Sequence, residues 1–256
     1  MLAFERVSKV FEKPQRIKAL EDVSLTLRRG ITIGLVGESG CGKSTLARIG
    51  VGLLTPSSGR VLLEGRDIQK MKPRERFLFH RRVQIVFQNP LRALNPLLPI
   101  RESLLEGVRL HRLLDDKGEK RWIRELLEWT ELDPEILPRF PHELSGGQIQ
   151  RVVIARVLSL QPDFLIADEP TSALDPSLQS SILRLLENWQ KKRGMGLLLI
   201  THDFAVVRAM AQEVAVMEKG RIVEYGPTEK IFAEPEHPYT EKLLRDSLLP
   251  FGLMVK

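Results

Sequence analysis

Residues 37–44 read "GESGCGKS", and they follow directly on an apolar run, "ITIGLVG" at 31–37. A helical pattern begins at once and covers 43–54. The spacing is that of the pattern G-x-x-x-x-G-K-[ST], whose glycines let successive backbone N–H groups wrap an anion where a strand passes into a helix. The stretch therefore predicts a phosphate-binding loop inside an α/β fold.

Two side chains of this loop have the chemistry to hold a nucleotide. Lys43 can reach the β- and γ-phosphate oxygens, and the Ser44 hydroxyl can ligate Mg²⁺. Cys41 is the only cysteine, so an intrachain disulfide is excluded, and its place at a helix N-terminus is expected to favour the thiolate. The residues predicted to bind the nucleotide here are Gly37, Glu38, Ser39, Gly40, Cys41, Gly42, Lys43, Ser44 and Thr45.

The composition is that of a globular chain of one or two domains, with 256 residues, 43% hydrophobic and 28% charged. The net charge of +6 is spread along the chain without a basic run, so we expect no nucleic-acid partner. The longest apolar runs are far shorter than the roughly 20 residues that span a bilayer. Work at a membrane would therefore require a membrane-bound partner.

Three further apolar runs predict buried strands: "VQIVF" at 83–87, "FLIA" at 164–167 and "GLLLI" at 196–200. Their near-continuous apolarity is typical of parallel strands, and helical patterns at 177–193 and 204–212 follow the last two. Strand patterns are absent from about 89 to 160, where "EKRWIRELLEWTEL" has amphipathic-helix spacing. We predict a mostly parallel sheet with an inserted helical subdomain, then a β-hairpin after 213 and a helical tail with several prolines.

Polar side chains follow three of the predicted strands. In "FLIADEP" at 164–170, Asp168 can hold Mg²⁺ through water, and Glu169 can deprotonate a water aimed at the γ-phosphate. His202 could donate to the γ-phosphate, and Gln88 could reach the metal or the attacking water. Each of these residues alone could equally begin a solvated loop, but together with a phosphate loop they predict a catalytic edge of the sheet.

Two stretches have the sequence of helix starts. In "LSGGQIQR" at 144–151, Ser145 and Gln148 form a capping box, and the glycines between them leave the backbone open to another molecule. In "SALDPS" at 172–177, Asp175 with the following proline predicts an N-cap and first helical position. A well-capped surface helix is the alternative explanation for both.

Taken in order, these motifs resemble those of ABC-type ATPase subunits, and the resemblance runs from about residue 2 to 245. It implies a P-loop NTPase core with an antiparallel β subdomain and the helical insertion, an ATPase domain at 1–245, and a tail at 246–256. It also implies ATP and Mg²⁺, and two subunits packed head to tail. The residues that would face the partner's nucleotide are Ser145, Gly146, Gly147, Gln148 and Asp175. Phe11 would stack on adenine, with a place in the sheet core as the alternative.

Two more stretches resemble one branch of that family, the ATPases of peptide and nickel importers. These are "FQNPLRALNP" at 87–96 and "EPEHPYTEKLL" at 234–244. The resemblance implies an ATPase at the cytoplasmic face of the membrane, with two permeases, an external binding protein, and a second ATPase subunit in a heterodimer rather than a homodimer. Ala93, Leu97 and Ile149 depart from the residues usual in such proteins, and Leu97 lies in the segment that the resemblance implies would face the permease.

A different class of function is also open. ATPases of the phosphonate carbon–phosphorus lyase assembly resemble the same branch, including its tail, so the chain could be a soluble accessory subunit. The "ALNP" at 93–96 favours the importer. A module serving DNA repair or translation is disfavoured, because the chain has no coiled-coil insertion, no second ATPase domain and no basic run.

Overall fold

A computed structural model describes residues 1–13, 16–172 and 174–248, of which residues 116, 117 and 248 are described by their backbone alone. The strands are Leu2–Phe11 (β1), Ile17–Leu27 (β2), Thr32–Val36 (β3), Ser58–Leu63 (β4), Arg66–Asp67 (β5), Val83–Val86 (β6), Phe164–Asp168 (β7), Gly196–Ile200 (β8), Glu213–Glu218 (β9) and Arg221–Pro227 (β10). The helices are Lys43–Gly50 (α1), Pro73–Arg82 (α2), Ile100–Leu110 (α3), Asp116–Thr130 (α4), Gly146–Leu158 (α5), Pro176–Arg193 (α6), Phe204–Met210 (α7), Thr228–Ala233 (α8) and Pro238–Leu248 (α9).

The central sheet has six strands in the order β10-β9-β3-β8-β7-β6, and all neighbours are parallel except β9 and β10. Strands β3, β7 and β8 are buried along their whole length, which explains their continuous apolar sequences. Their carboxyl ends lie at the same edge, where ligands bind in open α/β sheets. The predicted α/β fold with a mostly parallel sheet is confirmed.

A second, antiparallel sheet has the order β2-β1-β4-β5 and packs over α1 and the central sheet. In β2 the segment "VSLTL" at 23–27 alternates buried and exposed residues, as a strand with one covered face must. In β1 the register shifts between Phe4 and Val7, so the alternation is broken there. This sheet is the antiparallel β subdomain of the predicted fold.

Residues 89–160, whose backbone the structure describes throughout, contain helices, turns and irregular segments but no strand. The predicted amphipathic face of α4 is buried and contributes Ile123, Leu126 and Leu127 to a core shared with α3, α5 and α6. Among the described residues, no helix is long and apolar enough to cross a membrane.

Two predicted boundaries differ from the structure. Helix α1 ends at Gly50 rather than at 54, because Gly52 adopts a left-handed conformation with φ +74° that ends the helical path. Helix α9 continues past residue 245, and the remainder of the predicted tail, from 249 onward, lies outside the described residues.

Candidate functional site

The loop between β3 and α1 depends on two glycines that no other residue could replace without strain. Gly37 has φ +153° and Gly42 has φ +115°. A Cβ on Gly37 would lie 2.2 Å from the Met217 carbonyl oxygen, and one on Gly42 would lie 2.5 Å from that of Ala19. The loop is therefore pressed against its neighbours with its backbone in conformations that favour glycine.

Lys43, the first residue of α1, is only 6% exposed. Its ammonium donates to the carbonyl oxygens of Gly37, at 2.7 Å, and Glu38, at 2.9 Å. Backbone dipoles of the loop, rather than a carboxylate, therefore satisfy this buried charge among the described residues. An anion bound in the loop would gain a full positive charge in a poorly solvated place.

Ser44 and Asp168 bring oxygen atoms together across the sheet edge. The Ser44 hydroxyl donates to Asp168 Oδ1 at 3.2 Å, and Asp168 is the buried last residue of β7. Burial raises the pKa of the Asp168 carboxyl, and the hydrogen bond from Ser44 partly offsets this. The pair forms an oxygen-rich position beside the start of the phosphate loop.

Glu169 occupies a strained backbone position immediately after β7. Its φ is +48°, a left-handed conformation that is uncommon outside glycine, and its N–H donates to the Ile200 carbonyl oxygen at 2.9 Å. Gln88 Nε2 donates to Glu169 Oε2 at 2.9 Å, and His202 Nδ1 lies 3.7 Å from Oε1. Gln88 and His202, each from the end of another strand, thus approach the carboxylate of Glu169.

Most of these groups share an open cleft of about 630 Å³, although the predicted residues Gly37, Glu38 and Asp168 do not line it. Its lining includes the predicted residues Ser39, Gly40, Cys41, Gly42, Lys43, Ser44, Thr45, Gln88, Glu169 and His202. It also includes Ile17, Lys18, Ala19, Lys219 and Gly220, which the sequence analysis did not single out. Of these, only Lys219 and Gly220 had a sequence signal, because "EKG" at 218–220 predicts the turn of the hairpin. The sequence does not show that this turn lies beside the phosphate loop.

Phe11 lies at the exposed end of β1 and is 36% exposed, so it is not in the sheet core. It does not line the cleft itself. Its partner in the ladder is Ile17, which does line the cleft. Phe11 therefore stands close to the mouth of the cleft, one strand away from it.

Ser145 caps α5 as predicted. Its Oγ accepts from the Gln148 N–H at 3.3 Å, and the Gln148 side chain accepts from the Ser145 N–H at 3.0 Å. Ser145 and Gly146 are exposed, whereas a Cβ on Gly147 would lie 2.2 Å from Leu178 Cδ2. None of these residues lines the cleft, so the chain does not bring its own α5 terminus to its own phosphate loop.

Asp175 caps α6, which begins next to that terminus. Its carboxylate accepts from the Ser177 hydroxyl at 2.7 Å and from the Leu178 N–H at 3.0 Å. These hydrogen bonds, the first of them above all, lower the pKa of Asp175. The exposed N-termini of α5 and α6 therefore form one surface away from the cleft.

Gln150 connects α5 to the catalytic edge, a contact that the sequence analysis missed. The side chain is 2% exposed, and its Nε2 donates to the Pro170 carbonyl oxygen at 2.6 Å. Pro170 directly follows Glu169. Gln150, five positions after Ser145, thus fixes the backbone next to Glu169, whose φ is +48°.

At Cys41, burial opposes the thiolate that a helix N-terminus is expected to favour. Burial raises the pKa of its thiol, and this effect outweighs the opposing influence of the Lys43 ammonium. The prediction based on the helix N-terminus was wrong because it took no account of burial, which the sequence does not display.

Comparison with known proteins gives consistent matches. A family model described as "ABC transporter" matches residues 20–172. A probable peptide ABC transporter ATP-binding protein of Sinorhizobium fredii is 47% identical over 91% of this chain and 66% of its own length. The oligopeptide transport ATP-binding protein OppF of Bacillus subtilis is 40% identical over 98% of this chain and 83% of its own length. The chain thus spans about two thirds to four fifths of these relatives.

Solved structures agree with the fold. The dimeric post-hydrolysis state of the ATP-binding cassette MJ0796, bound to ADP and Pi, superimposes with a TM-score of 0.81 at 28% identity, covering 89% of this chain and 99% of that one. The structure of cbiO1 from Clostridium perfringens, described as part of the ABC transporter complex cbiONQ, gives a TM-score of 0.79 at 30% identity, covering 98% and 95%.

Proposed function

Because the chain belongs to the ABC transporter family of ATP-binding cassettes, we propose that it is the ATP-hydrolysing subunit of an importer for peptides. The observation that supports ATP hydrolysis best is the meeting of Gln88, Glu169 and His202 in the cleft of the phosphate loop. The relatives named above are peptide and oligopeptide transport proteins, so we propose peptides rather than nickel. The accessory-subunit alternative has no comparable support.

The residues present suit Mg²⁺ bound together with the nucleotide. Ser44, Asp168 and Gln88 offer hydroxyl, carboxylate and amide oxygens, which Mg²⁺ prefers. Among the described residues, no cluster of three His, Cys, Asp or Glu side chains could hold a metal ion. When bound, the ion neutralises charge on the phosphate oxygens.

In the proposed reaction, Glu169 acts as the general base. Its carboxylate accepts a proton from the attacking water, a role worth about 10²–10⁴ in rate. Gln88 orients that water or the metal, and His202 donates to the γ-phosphate from the next strand end. Lys43 and the loop N–H groups hold the β- and γ-phosphates throughout, and Phe11 stacks on the adenine.

We further propose that the exposed terminus of α5 serves a second subunit. Ser145, Gly146 and Gly147 would meet the γ-phosphate held by the partner's phosphate loop, with Gln148 capping that terminus and Asp175 crossing the same interface. Support comes from the absence of these residues from the lining of the chain's own cleft and from the dimeric state of the ADP-bound structural neighbour. We expect a different ATPase subunit as the partner, with a homodimer as the alternative.

The permease surface is proposed on the segment after Gln88. Here Leu97 is 80% exposed. A groove of about 430 Å³ is lined by Ala93 of the same segment and by Phe87 and Leu110 among others. An exposed apolar surface of this kind is typical of a protein interaction site. Two permeases would dock there at the cytoplasmic face of the membrane, supplied by an external peptide-binding protein.

A pair of substitutions tests this arrangement. Leu97→Asp places a charge on the proposed permease surface, and Leu53→Asp does the same at a 61% exposed leucine elsewhere. Tagged wild-type protein and both variants are expressed in the native cell, and their partners are identified by mass spectrometry after gentle solubilisation of the membranes. We expect wild type and Leu53→Asp to recover two permeases and a second ATPase, and Leu97→Asp to lose the permeases. Recovery of soluble enzymes without permeases would contradict the proposal.

A further inference from the structure

The last described helix, α9, touches the phosphate loop. The Tyr239 hydroxyl oxygen accepts a hydrogen bond from the Glu38 backbone N–H at 3.1 Å. Lys242, three residues later and so on the same face of the helix, places its ammonium 3.9 Å from the Glu38 carboxylate. The "HPYTEKLL" stretch thus contacts the second residue of "GESGCGKS", although 201 positions separate the bonded pair.

The tyrosine is itself held in place. Glu224 of β10 accepts from the backbone N–H groups of Glu236, at 2.8 Å, and His237, at 3.1 Å. His237 Nδ1 then accepts from the Tyr239 N–H at 3.2 Å, which caps the start of α9. Farther along, Leu244 packs into the core that contains Val36, the last residue of β3. The start of α9 and the part of the helix that contains Leu244 are therefore both attached to strands of the central sheet.

The phosphate loop is supported on its other side by the β9–β10 turn, where the Gly220 N–H donates to the Cys41 carbonyl oxygen at 2.8 Å. Tyr239 supplies the support on the Glu38 side. A loop whose N–H groups must converge on phosphate binds better when its conformation exists before the ligand arrives. Tyr239 and Gly220 thus bond to two different residues of the loop, Glu38 and Cys41.

We propose that Tyr239 is a positioning residue for ATP binding, and that α9 is a brace holding the start of the phosphate loop in its binding conformation. Tyr239 does not line the cleft, so it acts through Glu38 rather than on the nucleotide. This inference rests on ATP binding by the loop but not on the solute or the partners. It gives the "EPEHPYTEKLL" stretch a role inside its own chain.

The chain offers a matched control, since it contains two tyrosines and the hydroxyl of each is hydrogen-bonded. Tyr239→Phe removes the bond to Glu38 and keeps the ring. Tyr225→Phe removes a hydroxyl bonded to the Glu213 side chain on the hairpin. A net hydrogen bond of about 1 kcal/mol corresponds to about fivefold in affinity. We therefore expect Tyr239→Phe to raise the ATP KM about fivefold with little change in kcat, and Tyr225→Phe to leave both unchanged.

A second measurement reports on the loop without any nucleotide. Cys41, the only cysteine, lies within the loop and is buried, so its alkylation rate rises when the loop opens. Tyr239→Phe should accelerate alkylation of the ATP-free protein several-fold, and Tyr225→Phe should not. His237→Ala should act in the same direction as Tyr239→Phe, whereas His237→Asn, which restores a capping acceptor, should stay near wild type.

The brace is refuted if Tyr239→Phe leaves both the ATP KM and the alkylation rate unchanged, or if Tyr225→Phe changes them equally. Faster alkylation in a protein that shows no ATPase activity at all would support the brace and count against the proposed function. The experiments can therefore refute the brace without refuting the proposed ATPase function, and the reverse.

Discussion

Replacing Gln150 with alanine should slow ATP hydrolysis more than it weakens ATP binding. The substitution removes the 2.6 Å hydrogen bond to the Pro170 carbonyl oxygen and leaves that buried acceptor unpaired, at a cost of about 1–3 kcal/mol. The neighbouring Glu169 sits at φ +48°, a conformation that persists only where surrounding contacts enforce it. If the released strain moves the base, the same 1–3 kcal/mol corresponds to a loss of about 5- to 150-fold in kcat.

The assay compares Gln150→Ala with Ser159→Ala. Ser159 is also buried and directly follows α5, and its hydroxyl donates to the Arg156 carbonyl oxygen at 2.7 Å. It lies at the end of α5 that is remote from Ser145. Both variants should lose similar stability, and only Gln150→Ala should lose kcat at a nearly unchanged ATP KM. Equal kcat in Gln150→Ala and wild type, or an equal loss in Ser159→Ala, would refute the reasoning.

Three further outcomes follow from the site. Glu169→Gln keeps the shape of the side chain but removes the base. ATP binding, measured by equilibrium titration, should therefore persist, while steady-state phosphate release should fall about 10²–10⁴-fold. Phosphate release at the wild-type rate would refute the assignment of Glu169 as the general base. Because burial raises the pKa of Cys41, its alkylation at neutral pH should be slower than that of a free thiol and should become faster as the pH increases. Cys41 lines the cleft, so ATP should suppress the alkylation, and equal rates with and without ATP would contradict a nucleotide lying over the thiol. Burial also raises the pKa of Asp168, so its charged form destabilises the nucleotide-free fold at pH values above that pKa. Asp168→Asn should therefore raise the unfolding temperature at pH 7, and this gain should shrink as the pH falls through the raised pKa and be absent below the ordinary pKa of about 4. An unchanged or lower unfolding temperature at pH 7 would contradict this sign.

The sequence predicts the central sheet well because its strands are buried on both faces. The runs at 83–87, 164–167 and 196–200 coincide with β6, β7 and β8 to within one residue at each end. Local rules also predict the helix caps at Ser145 and Asp175, since capping involves residues only two to three positions apart.

Contacts between distant segments could not be predicted in this way. The bonds from Gln150 to Pro170 and from Glu38 to Tyr239 join residues 20 and 201 positions apart, and no periodicity or local propensity records them. The same holds for Lys18 and Lys219 at the cleft, and for the burial that reverses the expected pKa direction of Cys41. Family motifs identify the residues that carry the chemistry of the site. The long-range contacts that hold these residues in position are visible only in the folded structure.

The most direct test of the central proposal is uptake of a labelled oligopeptide by cells whose copy of this gene is deleted and then restored. Wild-type protein should restore uptake, whereas Glu169→Gln, expressed at the same level, should not. Tyr225→Phe serves as the matched variant that should restore it fully. Peptide uptake in the deleted cells equal to that of wild-type cells would contradict the proposal that this chain powers peptide import.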